Sequence, residues 1–148
     1  MVNSNIVYKL ISSIESYLTE LETFCAGITL QDFSKDIKLQ RFTERTLQIA
    51  IEAMLDIAHH IISDEKYREP DSYADAFTVL HENGILDESF LKTVKQMAQF
   101  RNKLVHSYES IDQEILFTIV IHKRHDIENF ITQIKNWIEL EQRGNEGN

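Results

Sequence analysis

Cysteine, proline and glycine are nearly missing from this chain, and each shortage closes off a class of structure. The single cysteine, Cys25, excludes an internal disulfide and a zinc site built on several thiolates, and it suits a reducing compartment. One proline and four glycines in 148 residues argue against a turn-rich β fold and for long helices. No apolar run reaches the length of a membrane span. The nearest approach, Ile49 to Ile62, is cut by Glu52, Asp56, His59 and His60. No basic-then-apolar stretch at the N-terminus reads as a secretory leader, so a cytoplasmic location without membrane association is expected. Positive charge is also short: 15 Lys and Arg face 24 Asp and Glu, a net −9. That balance excludes a general nucleic-acid coat, which needs a broad cationic face. A small local RNA site, or a basic protein partner, fits it.

What is present is helical periodicity. Ile6 to Phe24 predicts a first helix, with Leu10, Ile14, Tyr17, Leu18 and Leu21 at helical spacing and Gly27 just beyond. Ile28 to Asp36 reads as a connector with one short turn capped by Thr29. Lys38 to Ser63 predicts a long, strongly apolar second helix. Pro70 marks EKYREPD as a loop. Asp71 or Ser72 can cap a third helix ending at Asn83-Gly84. Asp87 starts a fourth helix, and Asp112 starts a fifth running to about Glu141. The expected architecture is all-α, an up-and-down bundle of about five helices. Residues 1–141 would form one helical domain and 142–148 a polar, frayed tail.

The fourth helix carries an anomaly. Phe90, Val94, Met97, Arg101, Leu104 and Tyr108 recur at steps of four and three, so Arg101 occupies a packing seam. A buried guanidinium needs a carboxylate, a second subunit or a wet cleft. The second helix offers carboxylates: Glu44, Gln48, Glu52 and Asp56 form a polar stripe at steps of four. That stripe is either a solvent face or the lining of a polar site, and Glu52 and Asp56 are the candidate partners of Arg101.

Arg101 lies in the block RNKLVHSY, which also holds Asn102, His106 and Tyr108. At about 100° per residue, Arg101 and Tyr108 nearly share a face, whereas Arg101 and His106 lie roughly 140° apart. For these two to act together, the helix must end near His106 or a second subunit must complete the site. Histidine exchanges protons near neutral pH, and arginine holds phosphate oxygens and stabilises transition-state charge. RNA cleavage through the 2′-hydroxyl needs those two functions and no metal. A two-fold dimer would supply two copies of His106, one base and one acid, with two Arg101 side chains between them. On spacing alone, a helix end capped by a histidine accounts for the same residues.

FRNKLVHSY resembles the R-x4-H-x-Y motif of the HEPN superfamily, specifically the HepT-like (DUF86) toxins. ERTLQIAIEAMLDIAHHII is similar to that family's second helix, and EPDSYADAFTVLHENGIL has its order and spacing, so the resemblance covers about Ile6 to Trp137. It implies a dimeric helical bundle whose motif residues meet in a cleft at the dimer interface. It implies metal-independent endoribonuclease activity without a cofactor, and a partner: a minimal nucleotidyltransferase antitoxin of the MntA type that transfers AMP to the motif tyrosine. Carried onto this chain, Arg101 would hold phosphate and His106 would be the acid/base. Asn102 would position the site or substrate, and Tyr108 would accept AMP. HEPN bundles also serve as non-catalytic substrate- or nucleotide-binding subunits of nucleotidyltransferases, which is the competing expectation.

The remaining features read more simply. His59 and His60 point different ways on a helix and no third ligand accompanies His59 and Asp56, so packing or surface roles are expected rather than a metal site. His122 to His125, HKRH, is the most basic patch and reads as a solvated helix face. Tyr67, Tyr73 and Phe77 read as core packing, and Cys25 as a small buried residue.

Overall fold

The structure, a computed structural model, describes residues 1–106 and 111–146. Among these residues there are seven helices and no strand. They are α1 (Ser4–Cys25), α2 (Leu30–Lys35), α3 (Ile37–Glu65), α4 (Tyr73–Glu82), α5 (Glu88–His106), α6 (Gln113–His122) and α7 (Arg124–Glu146). None of them is long and apolar enough to cross a membrane.

Short polar side chains start most of these helices by accepting backbone N–H groups that have no partner within the first turn. Asn3 Oδ1 accepts from Ile6, Thr29 Oγ1 from Asp32, Asp36 Oδ1 from Leu39, and Ser72 Oγ from Asp75. Of the two expected caps for α4, Ser72 is therefore the one used. Asp112 Oδ1 starts α6 by accepting from Glu114 at 2.8 Å. α1 buries Val7, Ile11, Ile14, Leu18, Leu21 and Cys25, a stripe of alternating steps of four and three that faces α3. α3 ends at Lys66 in the left-handed region (φ 58°), and α4 ends at Asn83 followed by Gly84 at φ 77°.

The expected fifth helix is two helices. The chain bends at Lys123, whose N–H donates to Ile119 O at 2.8 Å while its own carbonyl accepts from Asp126 at 3.0 Å. No proline or glycine causes this bend; the packing does. Leu116 and Val120 join a small core with Leu21, Cys25, Phe33 and Leu47. Ile127, Phe130, Ile131, Ile134, Trp137 and Ile138 join the main core of α1, α3, α4 and α5. One straight helix presents its stripe in one direction and cannot serve both clusters. At the other end, α7 continues to Glu146 where a frayed tail was expected. Gln142 Nε2 donates to Ser4 Oγ and Asn145 Nδ2 to Met1 Sδ, so the last turns lie against the N-terminus.

α5 packs between α3, α4 and α7 through Phe90, Val94 and the fully buried Ala98, while Met97, Phe100 and Leu104 are half-buried. The small side chain of Ala98 lets α5 approach its neighbours one turn before Arg101.

Candidate functional site

The polar stripe of α3 divides when its neighbours are in place. Glu44 turns to Arg41 of its own helix at 3.2 Å and takes no part in a site. Gln48 and Glu52 face α5. Gln48 Nε2 donates to Glu52 Oε1 at 3.0 Å, and the same oxygen accepts from Arg101 Nε at 3.1 Å and Arg101 Nη2 at 2.9 Å. Asp56 is exposed and, among the described residues, is not bonded to Arg101. The structure thus joins Glu52 to Arg101 and leaves Asp56 outside the pair.

On its other edge the guanidinium donates from Nη1 to Asn102 Oδ1 at 3.2 Å. Its Cζ lies over the ring of Tyr73, 5.1 Å from the ring centroid, inside the range in which a cation is drawn to an aromatic quadrupole. The edge of Tyr73 in turn meets His59 at 6.1 Å, and His59 is anchored by Nδ1 to Leu55 O at 2.8 Å. Arg101 has 16% of its side chain exposed and Glu52 31%, so this is a sheltered but open pair rather than a core ion pair. Burial by itself raises the Glu52 pKa. The hydrogen bonds from Gln48 and Arg101, with the charges of Arg101 and Arg45, more than offset that, and the carboxyl lies below its ordinary 4.5.

The donor arithmetic defines what this arrangement can do. A guanidinium has five N–H donors. Among the described residues, Glu52 and Asn102 engage three of Arg101's, leaving one N–H on each terminal nitrogen. That remaining pair is a fork suited to two oxygens of one phosphate or carboxylate. Glu52 offsets the cation's charge without filling this fork.

His106 is the last residue of α5 and is exposed. Five residues after Arg101 on the same helix, it lies on a different face from the arginine. Tyr108 lies outside the described residues. Three large apolar side chains of α5 and α6 stand exposed: Val105, Ile115 and Ile121 at 39%, 53% and 40%. A cavity of about 370 Å³ lies across α5 from Arg101, walled by Leu47, Ile51, Met97, Phe100 and Ile127, and no candidate residue lines it.

The basic patch HKRH is spread over the α6–α7 bend, and three of its four residues meet carboxylates. Lys123 faces Asp126 at 4.0 Å, Arg124 faces Glu22 at 3.8 Å, and His125 faces Glu128 at 3.2 Å. Two residues outside the predicted set belong to the site. His59 was legible, because it stands seven after Glu52 and so within about 20° of its face. Tyr73 was not, because only the path of the loop before α4 brings it to Arg101.

A family model described as "Ribonuclease HepT-like" matches residues 14–134. The chain is 35% identical over 103 residues to the mRNA nuclease HepT of Shewanella oneidensis, covering 70% of this chain and 77% of that protein. It is 30% identical over 125 residues to the tRNA nuclease HepT of Aphanizomenon flos-aquae, covering 84% of each. Its fold superposes with a TM-score of 0.82 on the tri-AMPylated Shewanella oneidensis HEPN toxin in complex with MNT antitoxin, at 29% identity over 92% of this chain and 99% of that one. With the family model spanning most of the chain and the fold and sequence agreeing, this protein is a member of the Ribonuclease HepT-like family.

Proposed function

We propose that this chain is the endoribonuclease toxin of a toxin–antitoxin pair, and that it cleaves RNA without a metal in a cleft between two copies of itself. The observation that carries the reading is the Arg101 site: a guanidinium held by Glu52 and Asn102, partly open to solvent and, among the described residues, with a terminal N–H fork left to bind. Its similarity to two HepT nucleases names the phosphate that would fill the fork.

In this mechanism Arg101 grips the non-bridging oxygens of the scissile phosphate and stabilises the charge that builds there. One His106 takes the proton from the 2′-hydroxyl as its oxygen attacks phosphorus. The His106 of the second copy gives a proton to the departing 5′-oxygen. The P–O5′ bond breaks as the P–O2′ bond forms, leaving a 2′,3′-cyclic phosphate and a 5′-hydroxyl. The dimer supplies what one chain lacks, since His106 is displaced from Arg101 around the helix. The exposed Val105, Ile115 and Ile121 are apolar side chains that contact with a second copy could cover. Tyr108 would be the acceptor of AMP from the antitoxin, a minimal nucleotidyltransferase. Added phosphate near Arg101 would fill the fork and repel RNA.

The test is cleavage of RNA in EDTA by protein purified free of its antitoxin, with the product ends identified by mass. Cyclic phosphate ends are expected. Arg101→Ala and His106→Ala should each lower the rate at least about a hundredfold with helicity unchanged. Full activity in both variants would overturn the assignment. Adenylate mass gained on coexpression with the nucleotidyltransferase should disappear in Tyr108→Phe.

A further inference from the structure

We propose that Tyr73 is a positioning residue for Arg101, its ring holding the guanidinium in the one plane where the terminal N–H fork can grip a phosphate. The inference rests on Arg101 being the phosphate-holding group.

The bonds to Arg101 explain why a third contact is needed. Glu52 holds one edge through Nε and Nη2, and Asn102 holds Nη1. All these bonds lie in or near the guanidinium plane, because that is where its N–H groups point. Anchors in one plane leave the group free to rock about the line that joins them. Rocking tilts the fork, and a bidentate grip on two oxygens is lost before either hydrogen bond to the protein is broken. The Tyr73 ring faces the guanidinium carbon, with its centroid 5.1 Å from Cζ, and as an anchor separate from these hydrogen bonds it opposes that motion. The attraction is electrostatic, between the cation and the negative face of the ring.

Tyr73 is itself unusually well held for a residue that is 47% exposed. It is the first residue of α4, directly after the Ser72 cap. The loop that delivers it is stapled to the same helix. Arg68 donates to both oxygens of Asp75 and both oxygens of Glu82, and the Asp71 N–H donates to Asp75 Oδ2 at 2.9 Å. His59 meets the ring from α3. The segment EKYREPDSY, which has no part in the mechanism above, is thereby a brace that sets a ring against the arginine. The exposure also separates this role from core packing: replacing Tyr73 empties no buried space.

The experiment compares the wild-type chain with Tyr73→Phe, Tyr73→Leu and a chain carrying pentafluorophenylalanine at position 73. The fluorinated ring keeps the shape and reverses the sign of the quadrupole. The expected order of kcat is wild type close to Phe, with Leu and the fluorinated ring both lower by about tenfold and KM little changed. In the free protein, the Arg101 Nε–H proton resonance should carry the ring-current shift in wild type and Tyr73→Phe and lose it in Tyr73→Leu. A Leu variant that cleaves like wild type, or a fluorinated variant that ranks with Phe, overturns the proposal while leaving the nuclease reading intact. A wild-type chain that cleaves nothing removes the nuclease reading instead. The resonance then decides whether the ring holds the guanidinium: no difference between wild type and Leu would end the proposal.

Discussion

Two arginines in this molecule meet carboxylates, and they do opposite things with them. Arg68 is 42% exposed and places Nε, Nη1 and Nη2 on the four oxygens of Asp75 and Glu82, at 2.7 to 3.0 Å. Its forks are full. Arg101 is the more sheltered at 16% exposed, yet among the described residues it bonds only a single oxygen of Glu52 and Asn102. By strength of ion pairing Arg68 would look like the important residue. By what is left to bind a ligand, it is Arg101. A guanidinium with both forks filled ties a loop to a helix. A partly satisfied one, its charge already balanced, is prepared to accept an oxyanion without the cost of burying a bare cation.

The sharpest way to break this comparison is to keep the charge and remove the fork. Arg101→Lys should lose cleavage by about a hundredfold, because an ammonium cannot bond Glu52, Asn102 and two phosphate oxygens in one plane. Arg68→Lys, measured in the same assay, should stay within about threefold. Equal losses would show that both arginines act through charge alone.

Next in size is the proposed second copy. Val105→Asp should place a charge on an exposed apolar position next to His106 in the chain, shift the sedimentation of the protein from dimer to monomer, and lower cleavage at least about tenfold. A monomer that cleaves normally would place the whole reaction within one chain.

Glu52→Gln removes the charge that balances Arg101 while keeping the shape of the side chain. Glu52 is 31% exposed and partly screened, so the expected cost is about 1 kcal/mol, a fall of roughly 3 °C in the unfolding midpoint. Cleavage should fall more than stability, since Arg101 loses its in-plane anchor.

The smallest effect is the acid limb. The folded-state pKa of Glu52 is depressed, so the stabilisation it contributes is complete above its ordinary 4.5 and is lost as pH falls through the lowered value. Asp75 is held lower, at about 2 against an ordinary 3.8, chiefly by hydrogen bonds from Arg68. Its share therefore survives to more acid conditions and disappears only as pH falls towards 2. An NMR titration of the two carboxyl carbons should show Asp75 inflecting near 2, and Glu52 below 4.5.

Helix existence was largely legible because apolar periodicity and caps are local. Asn83-Gly84 ends α4 and Thr29 starts α2 where the pattern places them. The bend at Lys123 was invisible, because no residue there resists a helix. It exists because Leu116 and Val120 serve one cluster and Ile127 onward another. The continuation of α7 beyond Glu141 was equally hidden, being set by contacts with Met1 and Ser4, at the far end of the chain.

For the site, the chain alone marked Arg101 as misplaced in an apolar seam and marked Glu52 as a carboxylate within reach. It also placed His106 off that seam, since about 100° per residue follows from helix geometry alone. Only the folded structure chose Glu52 over Asp56, joined Asn102 to the guanidinium and brought the Tyr73 ring against it. The physical reason is one of range. Periodicity records which face of its own helix a side chain occupies. The partners of Arg101 lie on three different helices, and packing determines which side chains of the other helices come into contact with it.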